Sequence, residues 1–227
     1  MKLYKFRSFT DKKSFDYVCN IIKSGKFFCS KLWDLNDPME GVYSSNLPQG
    51  KRGIEISKKI FDEKNKYVIC SFSKAGALND PRLWGHYANG FKGIAIEIEV
   101  DPSGVIEVEY VSKKDLFIDT CENNHSEIAK KVIIKKLKVW DYEKECRFLY
   151  QADKRQEISI GKIKKIYFGN PYGHLSNKES IEMNSDSYKD YAKFKKELIQ
   201  LCQEKGIELV DYYLNGTQEQ INSGDWI

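Results

Sequence analysis

Between Trp140 and Arg147 the chain reads Trp-Asp-Tyr-Glu-Lys-Glu-Cys-Arg, which spaces Glu143, Glu145 and Arg147 at intervals of two. In an extended strand these three side chains share one face, with Cys146, Phe148 and Tyr150 on the other. Neighbouring carboxylates repel, so one keeps its proton unless a cation stands close. Such a pair suits general acid–base work, or stabilisation of a positive charge that grows in a transition state. Taken alone, the spacing favours a blander arrangement, a solvated strand edge where Arg147 neutralises both glutamates.

Other groups bear on that choice. Ser71 and Ser73 flank Phe72 and put two hydroxyls on one face of an inner strand, where each needs a partner or a ligand. Arg7 sits on the first strand and can clamp a phosphate or carboxylate through paired hydrogen bonds. Taken singly, each of these reads as structural. In the run Trp84-Gly-His-Tyr87, His86 is a candidate acid or base near neutral pH and Tyr87 a candidate stacking surface. The same run reads equally as an aromatic helix face in the core. Asn36 and Asp37 read as turn caps before Pro38, and Glu97 and Glu99 as the solvent face of a strand. Lys130, Lys131, Lys135, Lys136 and Lys138 form a basic surface, with Lys131, Lys135 and Lys138 on one side of a helix. A solvated face is the plain reading, and a grip on a phosphate backbone the functional one.

The elements that must position these groups follow from periodicity and caps. Leu3–Arg7, 26–30, Tyr67–Ser73, Gly93–Val100, 105–111, 145–150, 164–168 and 208–213 read as strands. A helix capped by Thr10 or Asp11 buries Phe15, Val18, Ile21 and Ile22 and ends at Gly25. Further helices are expected over 56–64, from Asn79-Asp-Pro81 to Gly90, from Asn124 to about Lys138 under an Asn124/Glu127 capping box, and ending near Lys205. Residues 42–55 carry few periodic signals, and Gly169–Gly173 reads as a turn. The expected fold is α+β, one domain over 1–214 with a mixed, largely antiparallel sheet and flanking helices, and a flexible tail over 215–227.

Composition limits the chemistry. Of 227 residues, 41% are hydrophobic and 31% charged, enough apolar material for a core and too balanced for wholesale disorder. The formal charge of +4 permits phosphate contact without demanding it. Six cysteines lack any Cys-x-x-Cys pair and three histidines lie far apart, so reduced core thiols are expected and a metal site is not. No apolar run reaches the ~18 residues of a membrane span, and the N-terminus does not read as a signal peptide. A cytoplasmic protein without membrane contact is expected.

The order of arginine on an early strand, Ser-x-Ser on a middle one and Glu-x-Glu on a later one resembles the arginine–serine–glutamate class of ADP-ribosyltransferases. Phe72 stands where that family usually has threonine. The resemblance implies NAD as co-substrate, with Arg7 on its phosphates, Ser71 or Ser73 ordering the ribose pocket, and Tyr87 or His86 at the nicotinamide or substrate. It implies Glu145 as the residue that engages the ribose and Glu143 as the one that prepares the acceptor. Arg147, Lys131, Lys135 and Lys138 are the expected substrate-binding set. A second and stronger resemblance covers most of residues 1–170. The stretches Phe28–Glu40, Cys70–Ser73, Leu83–Gly93 and Trp140–Arg147 together resemble the bacterial family of domains of unknown function numbered 2971. That grouping implies a toxin or phage-defence effector, with an antitoxin or regulatory protein as a partner.

The leading expectation is an enzyme transferring ADP-ribose from NAD to a nucleic acid or protein. Two alternatives stand beside it. One is a metal-independent ribonuclease-type toxin using His86, Arg147 and a glutamate. The other is a non-catalytic sensor or interaction domain whose polar motifs are buried structural networks.

Overall fold

A computed structural model describes residues 1–120, 124–170, 186–213 and 218–221. The protein is α+β, with a mixed, mostly antiparallel sheet. The chain begins with β1 (Lys2–Ser8), α1 (Lys12–Ser24), β2 (Lys26–Cys29) and β3 (Ser44–Ser45). It continues through α2 (Lys51–Asn65), β4 (Tyr67–Lys74), α3 (Pro81–Tyr87) and β5 (Gly93–Glu99). Short strands β6 (Ile106–Glu107), β7 (Glu109–Val111) and β8 (Phe117–Ile118) precede α4 (His125–Ile133). Then come β9 (Lys135–Leu137), β10 (Glu145–Gln151), β11 (Gln156–Ser159) and β12 (Lys162–Asn170). The last elements are α5 (Asp186–Glu204), β13 (Glu208–Tyr213) and β14 (Gln218–Gln220). Two compact units divide the chain: unit one holds Met1–Lys26, Ser73–Asp101 and Ser159–Ile227, and unit two holds Phe27–Phe72 and Pro102–Ile158.

In unit one, β1 pairs antiparallel with β5 from Lys2↔Glu99 to Ser8↔Gly93. Strand β12 lies antiparallel on the far side of β5 and parallel to β13, which β14 edges. The parallel step needs a crossover, and α5 lies in it. Leu3 and Tyr4 of β1 also meet Lys74 and Ser73 at the end of β4. Helix α1 forms as its sequence dictates. Asp11 accepts from the Ser14 amide, Ser14 returns a bond to the Asp11 backbone, and Gly25 ends the helix at φ 67°, a conformation glycine adopts without strain.

The aromatic run on α3 resolves into core and surface. Trp84 is fully buried, stacked against Phe91 at 4.8 Å and Tyr212 at 5.4 Å between centroids, with Phe6 edge-on. Its indole N–H donates to the Leu78 carbonyl at 2.8 Å. Glu97 corrects an expectation. It is 2% exposed rather than solvent-facing, because Tyr4 lies directly across in the register, and the Tyr4 and Tyr167 hydroxyls and Lys2 all reach its carboxylate. Glu99, beyond that cage, is exposed.

In unit two, β10 lies between β4 and β6, with Cys146 opposite Glu107 and Arg147 opposite Ile106. Helices α2 and α4 enclose Ile60, Ile118, Ile128 and Val132. Helix α2 starts at Lys51, earlier than its periodicity suggests. The expected strand over 105–111 divides into β6 and β7. The expected helix to Lys138 stops at Ile133, because Lys135–Leu137 pairs parallel with Glu109–Val111 instead. A 3-10 turn over Lys138–Glu143 follows. Within the expected tail, Gln218–Gln220 forms β14, while 214–217 and 222–227 lie outside the described residues, as does the end of the Gly169–Gly173 turn.

Replacing Trp84 by alanine is expected to cost roughly 3–5 kcal/mol, since the cavity opens among rings that cannot collapse together. Urea unfolding of the two proteins checks this, and a loss under about 1 kcal/mol contradicts the packing described.

Candidate functional site

The chemistry of the Glu-x-Glu segment is set by charges that the fold of unit two gathers around it. Arg147 on β10 has no exposed surface. Its Nε donates to Glu145 Oε1 at 2.8 Å and its Nη2 to Glu145 Oε2 at 3.1 Å. The same Nη2 donates to Glu40 Oε1 at 2.6 Å, and Nη1 donates to the Ile133 carbonyl at the end of α4. A guanidinium there answers both the unsatisfied carbonyl and the negative end of the helix dipole. Lys136 on β9 completes the group, with Nζ 2.6 Å from Glu143, 3.1 Å from Glu145 and 3.4 Å from Glu40. All five side chains are between 0% and 6% exposed.

Local backbone geometry delivers each carboxylate. Asp37 accepts from the Met39 amide and its carbonyl from the Glu40 amide, which closes the turn before Glu40. The chain leaves through Gly41 at φ 73°, where a Cβ would lie 2.4 Å from the Leu32 side chain. Asp37 therefore acts as the turn cap expected of it, and Asn36 is exposed. Glu143 is not on the strand. It ends the 3-10 turn, and Lys144 in the left-handed conformation (φ 45°, ψ 46°) swings the chain into β10. Glu143 and Glu145 meet through Lys136 rather than through strand alternation. The Glu145 amide donates to the Tyr110 hydroxyl at 2.7 Å.

Three carboxylates face two cations, so the fully ionised cluster carries one excess negative charge. Burial pushes Glu40 and Glu145 up, and proximity to the cations sets the direction each finally takes. At Glu145 burial is outweighed by Arg147 and Lys136, with the Arg147 hydrogen bonds and nearby Ser71 adding to their effect, and its pKa is held down at about 2. At Glu40 burial wins over Arg147, with Glu145 adding repulsion, and the pKa rises. Glu40 Oε2 is buried and finds no hydrogen-bond partner among the described residues. Burial lowers Lys136, but Glu145, Glu143 and Glu40 together raise it well above its ordinary value. One carboxyl pushed up beside one pushed down is the arrangement that separates acid from base.

The expected site residues distribute as follows. Ser71, Glu143, Glu145 and Arg147 come together in unit two. Lys131 and Lys138 are exposed on the same unit, and Lys135 is half-buried with its Nζ on the Asp115 carbonyl. These lysines do not share a helix side, because Lys131 is on α4, Lys135 on β9 and Lys138 at the start of the 3-10 turn. Arg7, Ser73, His86 and Tyr87 belong to unit one. Arg7 stacks on Tyr17 at 5.4 Å and donates to the Phe6 carbonyl, and its buried Nε has no hydrogen-bond partner among the described residues. Ser73 is buried, His86 exposed and Tyr87 half-buried.

Sequence reasoning missed Glu40 and gave Lys136 only a place in a basic run. Glu40 lies 107 residues from Arg147, so no local spacing joins them. The Asn-Asp-Pro turn and Gly41 were the available signals, since a turn so constrained fixes what stands between. The fold and site define an α+β protein with a buried carboxylate–guanidinium–ammonium cluster. No family model matches the chain, nor does any curated protein or solved structure.

Stability should report this cluster through pH. Glu145, below its ordinary 4.5 when folded, contributes stability that is complete above about 4.5 and lost as pH falls toward about 2. Glu40, raised when folded, contributes fully below 4.5 and loses that contribution as pH rises through its folded pKa. Glu145→Gln is therefore expected to lose ~3–5 kcal/mol at pH 7 and to converge on the wild type in acid, whereas Glu40→Gln holds or gains stability at pH 7. Urea midpoints measured between pH 3 and pH 7 on all three proteins, at ~1 kcal/mol precision, test this. Equal destabilisation by both variants at pH 7 contradicts it.

Proposed function

We propose that the chain is an ADP-ribosyltransferase-like effector that takes ADP-ribose from NAD and transfers it to a nucleic acid or protein, as a toxin or phage-defence enzyme. The observation that carries the reading is Glu145. It is a carboxylate kept ionised to about pH 2 by two buried cations, with Ser71 of the Ser-x-Ser motif beside it. In this reaction the bond between ribose C1′ and the nicotinamide nitrogen breaks, and nicotinamide leaves neutral with the electron pair. Positive charge builds on the ribose, and a fixed anion stabilises it without reorganising. An acceptor nucleophile then bonds to C1′ as its proton passes to a base, the role given to Glu143. Exposed Lys131 and Lys138 leave cationic surface on the same unit, suited to an acceptor that carries phosphates.

A second reading has its own support. Both oxygens of Glu145 already accept from cations, and its side chain is only 6% exposed. That is also how a non-catalytic sensor or interaction domain would use the cluster, as a fastening between loop, helix and strand.

Incubating the full chain with labelled NAD and a cell extract separates the two. The proposal expects label on a macromolecule and a fall of roughly 100-fold or more in Glu145→Gln and Glu143→Gln, with folding checked by circular dichroism. Transfer undiminished in folded Glu145→Gln overturns the role of that residue. RNA breakdown without NAD, lost in His86→Ala, points to a ribonuclease, and no reaction of either kind points to the non-catalytic reading.

A further inference from the structure

Helix α2 is amphipathic in an unusual way. Its inner side is closed by Ile56 and Ile60, which face the core of unit two, while Gly53 lies against the Pro48 carbonyl. Its outer side nonetheless presents Ile54, 71% exposed, and Phe61, 52% exposed. Seven residues apart, they lie two turns along a single face. Trp33, 58% exposed, stacks on Phe61 with centroids 6.4 Å apart and widens the strip. Beside it a groove of about 510 Å³ opens between Leu47–Pro48 and the helix. Large apolar side chains grouped at the surface mark an interaction site more often than chance exposure does.

The charges next to the strip say what covers it. Lys51, Glu55, Lys58 and Asp62 are all exposed, and their spacings of four, three and four place them in one row flanking Ile54 and Phe61. The row reads plus, minus, plus, minus, so reversing its direction gives the opposite sign at every position. Two copies of this helix laid antiparallel therefore match. Around a two-fold axis near Ser57, Lys51 meets the partner's Asp62 and Glu55 meets the partner's Lys58. In the same register Ile54 meets the partner's Phe61. A parallel arrangement brings this row against the opposite flank, where Ser57 and Lys64 stand, and forfeits the match.

The geometry points to an antiparallel, two-fold symmetric contact between α2 of one copy of this chain and α2 of another, forming a homodimer. An isologous contact needs a self-complementary surface, and a sign-alternating row beside an Ile–Phe pair is one. A helix of 15 residues is about 22 Å long. That is narrow against the ~1,600 Å² of a standard interface, so the dimer is weak, concentration-dependent and sensitive to salt. The contact does not rest on the NAD reading, since it uses none of the same residues.

Sedimentation velocity of the full chain across a concentration series, at low and high salt, tests the proposal. The wild type is expected to shift from monomer to dimer, with weaker association at high salt. Phe61→Asp is expected to raise the dissociation constant roughly 30-fold or more. Lys51→Glu alone is expected to weaken association on the order of five- to tenfold, and adding Asp62→Lys to restore it to within about twofold. All three substitutions are on exposed positions, so folding should persist. A wild type monomeric to about 1 mM overturns the proposal and leaves the strip to a partner of different sequence. A dimer untouched by Phe61→Asp, or a charge reversal that fails to restore association, overturns it equally.

Discussion

A guanidinium with no exposed surface is the constraint from which the architecture of unit two follows. Removing a charge from water costs several kcal/mol even after relaxation, and only a full set of well-placed acceptors offsets it. Arg147 finds them on three separate pieces of chain: Glu40 in a turn, Ile133 at the end of α4 and Glu145 on its own strand. Each piece must therefore be where it is for the charge to be tolerated. The left-handed Lys144, the glycine at 41 and the early end of α4 are the local adjustments that meet this demand.

The second consequence is electrostatic asymmetry. Lys136 and Arg147 together cannot neutralise three carboxylates, so burial is offset unequally across the group. Glu40 shows the strain: burial pushes its carboxyl up despite Arg147 at 2.6 Å and Lys136 at 3.4 Å, and one oxygen is buried without a partner among the described residues. Glu145 takes the opposite position, with both oxygens on cations. A site that pushes one carboxyl up and another down sets a group inclined to hold its proton beside a fixed anion. A glycosyl-transfer reaction draws on that combination, and so does a rigid structural fastening. The proposed NAD chemistry and the non-catalytic reading thus share one physical origin.

Much of the fold was legible because its signals are local. Asp11 with Ser14, Gly25, the apolar run entering Ser71 and Ser73, and the alternation of β5 each declare their element within a few residues. What failed to show were features decided at long range. A helix through Lys135–Lys138 has good propensity, but pairing with Glu109–Val111 claims those residues for a strand. Glu97 looked solvated until Tyr4 and Tyr167, from strands on both sides, closed over it. At the site, the Glu-x-Glu pair and Arg147 were visible as a motif. Their meaning depended on Glu40 and Lys136, whose ordinary local surroundings give no hint of a shared buried charge. Arg7 was chosen by motif order along the chain and His86 and Tyr87 by residue type, and none of the three is among the ion pairs of the cluster in unit two.

The claim that one buried cluster shifts two carboxyls in opposite directions is open to direct observation. Carbon-detected NMR of glutamate side-chain carboxyls, assigned through Glu40→Gln and Glu145→Gln, follows each group through a pH titration of the folded protein. Glu145 should remain ionised down to about pH 2, or until the protein unfolds, while Glu40 should titrate above the ordinary glutamate value of 4.5. Two ordinary titrations near 4.5 would contradict the account, as they would mean that both side chains stand in water and the cluster does not exist in solution.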